Sequence, residues 1–548
     1  MYVQNFGIQL EFTFLRPSTI CSFKMIDSQT VLTASVATLV LFLIQQYWFR
    51  MNFRQKLRHP PSPRSLPFVG HAFSLPSTLN HISYLELGKQ LDSNIIYLNM
   101  MGQPLIVLNS AQTASDMLEK HSLIHSDRIG APMVNDPTLF DWSDFSGLLP
   151  LGDLWRRQRR RMNSWLNVRA IRQFDGLQQE VARRLLGRLL DLPASCEPFR
   201  EIKHQTFFLM GSATFKSIYG YDFKNEQDPF FVNGIQASLN LLDASIMSNF
   251  LVNLFPTLSK VPDWFPGTAW KRTARKWREQ KNCAVNAPYE WAKQRIATGD
   301  FEPSILSALL NDNESGPASS ISEDQENELK QLVYGLFIAG TDTTAAGLMN
   351  FIAAMVCNPE AQVKAQAEID SVIGYATRLP TISDEAHLPY VRNLILEVSR
   401  WLPIGPTGGP PHVCSEDNVY QGYDIEKGTM IIGNLWAMSR DETVYENPES
   451  FEPERFTDPK TPPLPRFGWG RRKCPGMHFA EASLFFVISS LLTTFTFSGK
   501  KDENGKEIIP NIEVAHNSLV IPLKPFEFEL RPRSEKHRQL IIENIPQD

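Results

Sequence analysis

The chain has 548 residues, of which 43% are hydrophobic and 21% charged, and its formal net charge is −5. That composition allows most of the chain to bury a large core, and the acidic balance argues against a nucleic-acid binder, which carries a basic face. The six cysteines stand at 21, 196, 283, 357, 414 and 474 without a C-x-x-C pair. They therefore form neither a disulfide framework nor a structural zinc site.

In chain order, residues 1–27 read as an extension without an evident signal, and Met25 offers a more usual start. Residues 28–49 carry no charge and close on Tyr47, Trp48 and Phe49. About 20 apolar residues cross a ~30 Å hydrocarbon layer, so this segment is expected to be a transmembrane helix. The aromatic trio suits the membrane interface. Arg50, Arg54, Lys56 and Arg58 follow at once. The positive-inside rule then places the bulk of the chain in the cytosol, as a single-pass protein. An aromatic and basic stretch stands where a cleaved signal peptide would end in small residues, which argues for an uncleaved anchor. Residues 50–70 include HPPSPRSLP at 59–67, a stiff, extended, basic and proline-rich hinge.

The body spans 71–532, followed by a tail at 533–548. Short β-type runs stand at 95–98 and 105–108. From about 150 to 400 the pattern is mainly helical, clearest at 156–166, 177–192 and 325–357. The polar segment 313–324 reads as a surface loop. From about 402 to 470 proline and glycine interrupt the pattern. A helix is expected from 474 to about 497, and strand-like pieces at 518–522 and 526–530. The fold class is mainly α with a small β lobe.

The chemistry concentrates in a few motifs. Segment 467–476 reads FGWGRRKCPG. A thiolate that ligates iron must stay anionic in a partly buried site, which needs donors, positive charge and a backbone that bends close to the sulfur. Gly470 and Gly476 would supply the bend, and the helix after Cys474 would aim its positive end at the sulfur. Arg472 offers a guanidinium fork suited to a carboxylate, and Phe467 an aromatic face. Segment 339–344, AGTDTT, lies within a long apolar helix. Its hydroxyls could simply bond back to the preceding turn. Glu397 and Arg400, three apart, would alone be a commonplace helix pair. The arginines from 156 to 161 fit a solvated basic face or a patch that meets an acidic redox partner.

Together these segments resemble the cytochrome P-450 family. The 467–476 segment matches F-x-x-G-x-R-x-C-x-G at all five fixed positions, and 339–344 matches [AG]-G-x-[DE]-T-[TS]. Glu397-x-x-Arg400, the PERF run ending Arg455-Phe456, and Trp155-x-x-x-Arg159 follow the family pattern, all in its order over roughly 60–530. The resemblance implies a triangular helical prism with haem b held by Cys474 as axial ligand, the thiolate favouring O–O cleavage. It implies that Thr343 hydrogen-bonds the distal oxygen, that Asp342 relays protons, and that Gly340 leaves room for dioxygen. Phe467 and Gly476 would contact the macrocycle. Arg472, Trp155, Arg159 and His412 would hold the propionates, although Val413 stands where the family often has arginine. Glu397, Arg400 and Arg455 would form a buried structural network. By family position the substrate pocket is expected from Met133, Phe140, Trp142, Phe145, Phe337, Ala339, Gly408, Gly409 and residues 517–519, the two glycines keeping it roomy. Segment 255–266 could dip into the membrane.

The resemblance implies a monooxygenase of the microsomal eukaryotic type, with loops in the fungal style. It would use O2 and NADPH-derived electrons from NADPH-cytochrome P-450 reductase, with cytochrome b5 a further candidate donor. A lipophilic secondary metabolite or xenobiotic would be the substrate, at the endoplasmic reticulum membrane. Two rivals are a haem-thiolate isomerase and a non-enzymatic haem sensor. Neither needs the Asp342–Thr343 pair.

Overall fold

The computed structural model describes residues 57–67, 69–75, 79–192, 197–311 and 322–546. The expected anchor at 28–49, and most of the polar segment 313–324, lie outside these residues.

The described body is mainly helical. Its helices of ten or more residues are α1 (Asn80–Gln90), α2 (Asp153–Leu166), α3 (Asp175–Leu190), α4 (Pro198–Tyr219), α5 (Pro229–Ser245), α6 (Ala269–Thr298), α7 (Glu323–Cys357), α8 (Pro359–Ile373), α9 (Pro389–Trp401), α10 (Met477–Thr494) and α11 (Glu535–Asn544). Local chemistry sets their limits. Ser322 and Gln325 form a reciprocal capping box at the start of α7, with Glu323, Asp324 and Glu326 in its first turn. Pro359 opens α8 one residue after Asn358 closes α7. Helix α4 ends on Gly220 in the left-handed region.

Helix α7 runs through the core against α4 and α10. Both α7 and α10 are long and apolar enough to cross a bilayer, but 67% and 72% of their most apolar windows are buried inside the protein. They are core helices here. The small sheet has the order β1-β2-β4-β3, from Ile95–Met100 (β1), Gln103–Leu108 (β2), His412–Val413 (β3) and Met430–Gly433 (β4). Strands β1 and β2 form a hairpin whose turn residues, Met101 and Gly102, both have positive φ. β4 pairs parallel to β2, and β3 antiparallel to β4. A second sheet pairs β5 (Phe495–Lys501) with β6 (Phe528–Pro532). No strand forms over 518–522, where the chain instead runs past the cavity described below.

The expected hinge and the expected tail are both docked on the body. In the proline-rich hinge, Pro61 O accepts from Tyr97 N at 3.0 Å and Arg58 O from Asp424 N at 2.8 Å. Proline lacks a donor but keeps its carbonyl, so the segment can still lie along a strand. The tail beyond 532 forms α11, capped by Ser534, with Leu540 and Ile541 buried. Beside it, Ile545 reaches Gly187 of α3, where a β-carbon would sit 3.0 Å from the isoleucine.

Candidate functional site

Cys474 lies in the loop just before α10. Its backbone N–H donates to Phe467 O at 2.8 Å, closing the loop on itself. Gly470, at φ +51, lets the loop pass the turn before it, since a β-carbon there would lie 2.4 Å from Leu118 O. Gly476 differs from expectation. Its φ is −86, so it supplies no left-handed bend. It donates its N–H to the Cys474 sulfur instead. Burial pushes the Cys474 thiol up, while the Gly476 N–H and the Arg159 charge pull it down. A bound metal cation ionises such a thiol outright, so the site suits a metal-bound thiolate.

The floor beneath the loop is a buried ion network. Glu397 and Arg400 are fully buried. Arg400 donates to both Glu397 oxygens, at 2.7 and 2.8 Å, and to the carbonyls of Ser439, Pro448 and Ser450. Arg455 and the Glu452 N–H donate to Glu397 Oε1 at 3.1 and 2.7 Å. The link from α9 to the cysteine loop is Arg466, which the motifs did not single out. It donates to Ser399 Oγ at 2.8 Å and Glu481 at 3.0 Å, and its guanidinium lies 4.9 Å from the Phe467 ring centre.

Beside the loop stand four basic side chains that form no ion pair within 4 Å among the described residues, Asp127 acting on Arg472 only at longer range. Arg472 donates to Ser126 O and Leu149 O, and sits 4.7 Å above the Trp155 ring centre, leaving Nη1 buried and unpartnered. Arg128 donates to Pro410 O and leaves Nε unpartnered. Burial pulls Arg472 down to about 10 and Arg128 to about 9. His412 Nδ1 lies 2.8 Å from His125 O, and burial holds the ring well below its ordinary value. Arg159 makes no hydrogen bond among the described residues. Buried guanidinium donors left open at a cavity wall call for an acceptor, and a carboxylate is the one that best matches their charge. The carboxylates of haem fit this cradle as the cysteine sulfur fits its iron. No sequence signal marked Arg128, which sits in an irregular segment far from any motif.

These groups border one cavity of about 420 Å3. Its lining includes Cys474, Phe467, Gly476, Arg128, Arg472 and His412, together with Ala339, Gly340, Asp342, Thr343 and Thr344 of α7. Burial pushes the Asp342 carboxyl up to about 6, with Lys203 opposing. Thr343 Oγ1 donates to Ala339 O at 2.7 Å. Gly340 serves helix packing as well as space, because a β-carbon there would lie 3.1 Å from Thr214 of α4.

Of the expected pocket residues, Phe145, Ala339, Gly408, Gly409 and Leu519 line the cavity. Phe140, Trp142, Phe337 and Met133 do not. They are fully buried core, Phe140 stacking edge-on to Trp142 and Phe337 edge-on to Phe215. Asn517 Oδ1 accepts from Asn80 N at 2.8 Å, an anchoring contact. Trp155 and Arg159 stand behind the lining, Trp155 beneath Arg472. The two glycines also part company. A β-carbon on Gly408 would strike Gly433 O at 2.8 Å and the Trp469 ring at 2.9 Å, whereas one on Gly409 meets nothing within 4 Å.

A buried sulfur facing an apolar chamber, with open arginine donors at its edge, has the chemistry of a site for a thiolate-bound metal cofactor with anionic groups. The cytochrome P-450 family model matches residues 60–530. A cytochrome P-450 monooxygenase of Postia placenta is 37% identical over 518 residues, covering 93% of this chain and 96% of the relative. One of Armillaria gallica is 32% identical over 520 residues, covering 93% and 99%. The monooxygenase ple1 of Rhodocybe pseudopiperita is 34% identical over 503 residues, covering 90% and 93%. The chain belongs to the cytochrome P-450 family, and it is a monooxygenase of that family, an oxidoreductase using O2. Haem, a redox partner and a small-molecule substrate follow from that membership.

Proposed function

We propose that this enzyme inserts one oxygen atom of O2 into a lipophilic secondary metabolite or xenobiotic, by hydroxylation or epoxidation. Electrons come from an NADPH-dependent reductase, with cytochrome b5 a further donor. The observation that carries the reading is the shared chamber, in which Cys474 and the Asp342–Thr343 pair border the same apolar space. Haem b, when bound, supplies the thiolate-ligated iron at which O2 is activated.

The chain's own residues do the rest. Cys474 would hold the iron, its sulfur accepting from the Gly476 N–H. Arg128, Arg472 and His412 would hold the propionates, with Arg159 adding positive charge behind them. Asp342, at about 6, changes protonation near neutral pH, so its carboxyl takes a proton from solvent and passes it to Thr343 Oγ1. Thr343 Oγ1, which donates to Ala339 O at 2.7 Å, would turn that hydrogen toward the O2-derived oxygen as it takes the replacement proton from Asp342. Leu148, Leu241, Ile338, Ile404 and Leu484 exclude water and orient an apolar substrate. Glu397, Arg400 and Arg455 keep the floor rigid.

The membrane reading keeps the anchor at 28–49, with the catalytic body on the cytosolic side of the endoplasmic reticulum. Trp264, 80% exposed, with Phe255 and Phe265 beside it, supports a second lipid contact through 255–266. The test is turnover of a panel of lipophiles by the enzyme with NADPH and reductase under isotopically heavy O2. The expected result is one heavy oxygen in the product. Product formed without reductase, or carrying no heavy oxygen, would point to the isomerase instead.

A further inference from the structure

The roof of the cavity is formed in part by one face of α5, where Ser238, Leu241, Leu242 and Ser245 recur at helical spacing. That face is turned toward α7. One turn earlier, Gly234 lies so close to α7 that a β-carbon would sit 2.6 Å from the Phe337 ring, and Gly234 O accepts from Tyr334 Oη at 3.1 Å.

Most hydroxyls on this roof are occupied by their own helices. Ser245 Oγ donates to Leu241 O at 2.7 Å. On α4, Ser217 Oγ donates to Thr214 O at 2.8 Å and Thr214 Oγ1 to Met210 O at 2.7 Å. Ser238 differs. It is only 7% exposed, and its hydroxyl makes no hydrogen bond among the described residues. The side chain is packed into the wall, but its oxygen stays accessible at the cavity rather than sealed among apolar groups. At a ligand cavity, the partner of such a hydroxyl is supplied by what enters.

We propose that Ser238 is a specificity residue that hydrogen-bonds an oxygen already present on the substrate, so that the enzyme selects lipophiles oxygenated once over their parent hydrocarbons. The inference rests on the monooxygenase reading of the same cavity. A serine hydroxyl both donates and accepts, so it meets an alcohol or a ketone equally. Its cavity neighbours Leu241, Leu242 and Ile218 offer only apolar contact, which suits the rest of the skeleton. A parent hydrocarbon would leave the hydroxyl unpaired. Such asymmetry lets a polar site reject the analogue lacking the group far more strongly than an apolar wall can. In reaction order, this enzyme acts after a hydration or an earlier oxygenation. O2, two electrons and two protons then give one further inserted oxygen and one water, so the product carries at least two oxygens.

The test is optical titration of the full-length haem-loaded enzyme with matched rigid pairs. These are adamantane and 1-adamantanol, decalin and 2-decalol, and androstane and androstan-3-ol. Wild type is expected to bind the alcohol of at least one pair about tenfold tighter than its hydrocarbon. Ser238→Ala should weaken that alcohol by roughly five- to tenfold and leave the hydrocarbon within about twofold. Ser245→Ala, whose hydroxyl is turned to its own helix, should move both members of a pair alike. A wild type that binds no member of any pair, or prefers no alcohol, overturns the proposal. So does a Ser238→Ala enzyme that keeps the preference, or one that only gains hydrocarbon affinity because the serine held water. The carbon-monoxide difference spectrum of each sample separates the two readings. A thiolate band without alcohol preference sinks this inference alone, whereas wild type without that band sinks the monooxygenase reading.

Discussion

Below the cysteine loop and above the cavity, the chain treats polar groups in opposite ways. Beneath the loop, Arg400 has its guanidinium bonded to Glu397 and to three carbonyls, and Glu397 accepts from two arginines and a backbone amide. Above the cavity, Asp342 is half-buried and makes no hydrogen bond among the described residues, and the Ser238 hydroxyl is open to the cavity. A fully bonded buried network fixes one geometry. An unmet buried group waits for a proton or a ligand. The lower side holds still and the upper side exchanges.

The comparison can be broken at several places. The largest effect falls where the two sides meet. Cys474→Ser is expected to abolish turnover and the red-shifted carbon-monoxide band of a thiolate-ligated haem, read on the membrane fraction beside wild type. Next comes the floor. Glu397→Gln leaves Arg400 buried without its counter-charge and should cost about 3–5 kcal/mol, seen as lost haem retention and an earlier denaturant midpoint.

The upper side should answer with the opposite sign in stability. Folded Asp342 holds its proton to higher pH than an unfolded aspartate does, so the folded state is penalised as pH rises from about 4 past 6. Asp342→Asn should therefore stabilise the protein at pH 8 by up to about 3 kcal/mol, with the gain vanishing near pH 4. It should also slow turnover on the order of 100-fold. A variant equally stable at both pH values would show that the carboxyl is not buried as a charge. The smallest effect separates neighbouring glycines. Both have positive φ, which costs an alanine about 1–2 kcal/mol. Gly408→Ala should cost about 1–3 kcal/mol more, because only it strikes Gly433 O and Trp469. Gly409→Ala should instead change substrate affinity, measured in the same optical titrations.

Long apolar runs made α7 and α10 legible, and short runs of apolar residues, buried on both faces at 95–98 and 105–108, made the hairpin strands legible. The motifs pointed to the cysteine loop and the Glu397–Arg400–Arg455 cluster, whose members the structure brings within hydrogen-bonding distance. What stayed hidden depends on tertiary packing. Arg128 and Ser238 carry no local signal, and their importance appears only when distant segments leave their polar atoms open beside one cavity. Phe140, Trp142 and Phe337 look like wall residues from their place in the chain, but helix packing turns them into the core. Gly408 and Gly409 are indistinguishable in sequence. The indole of Trp469 tells them apart.

The docking of α11 has a consequence for how this chain can vary. Ile545 occupies the space that a β-carbon at 187 would need, so positions 187 and 545 are expected to change together among homologues. A larger residue at one calls for a smaller one at the other, although 358 positions separate them in the chain. A truncation at 532 would release Gly187 from that bond of shape while uncovering the apolar side of α3, so drift at 187 should follow wherever the last helix has been lost.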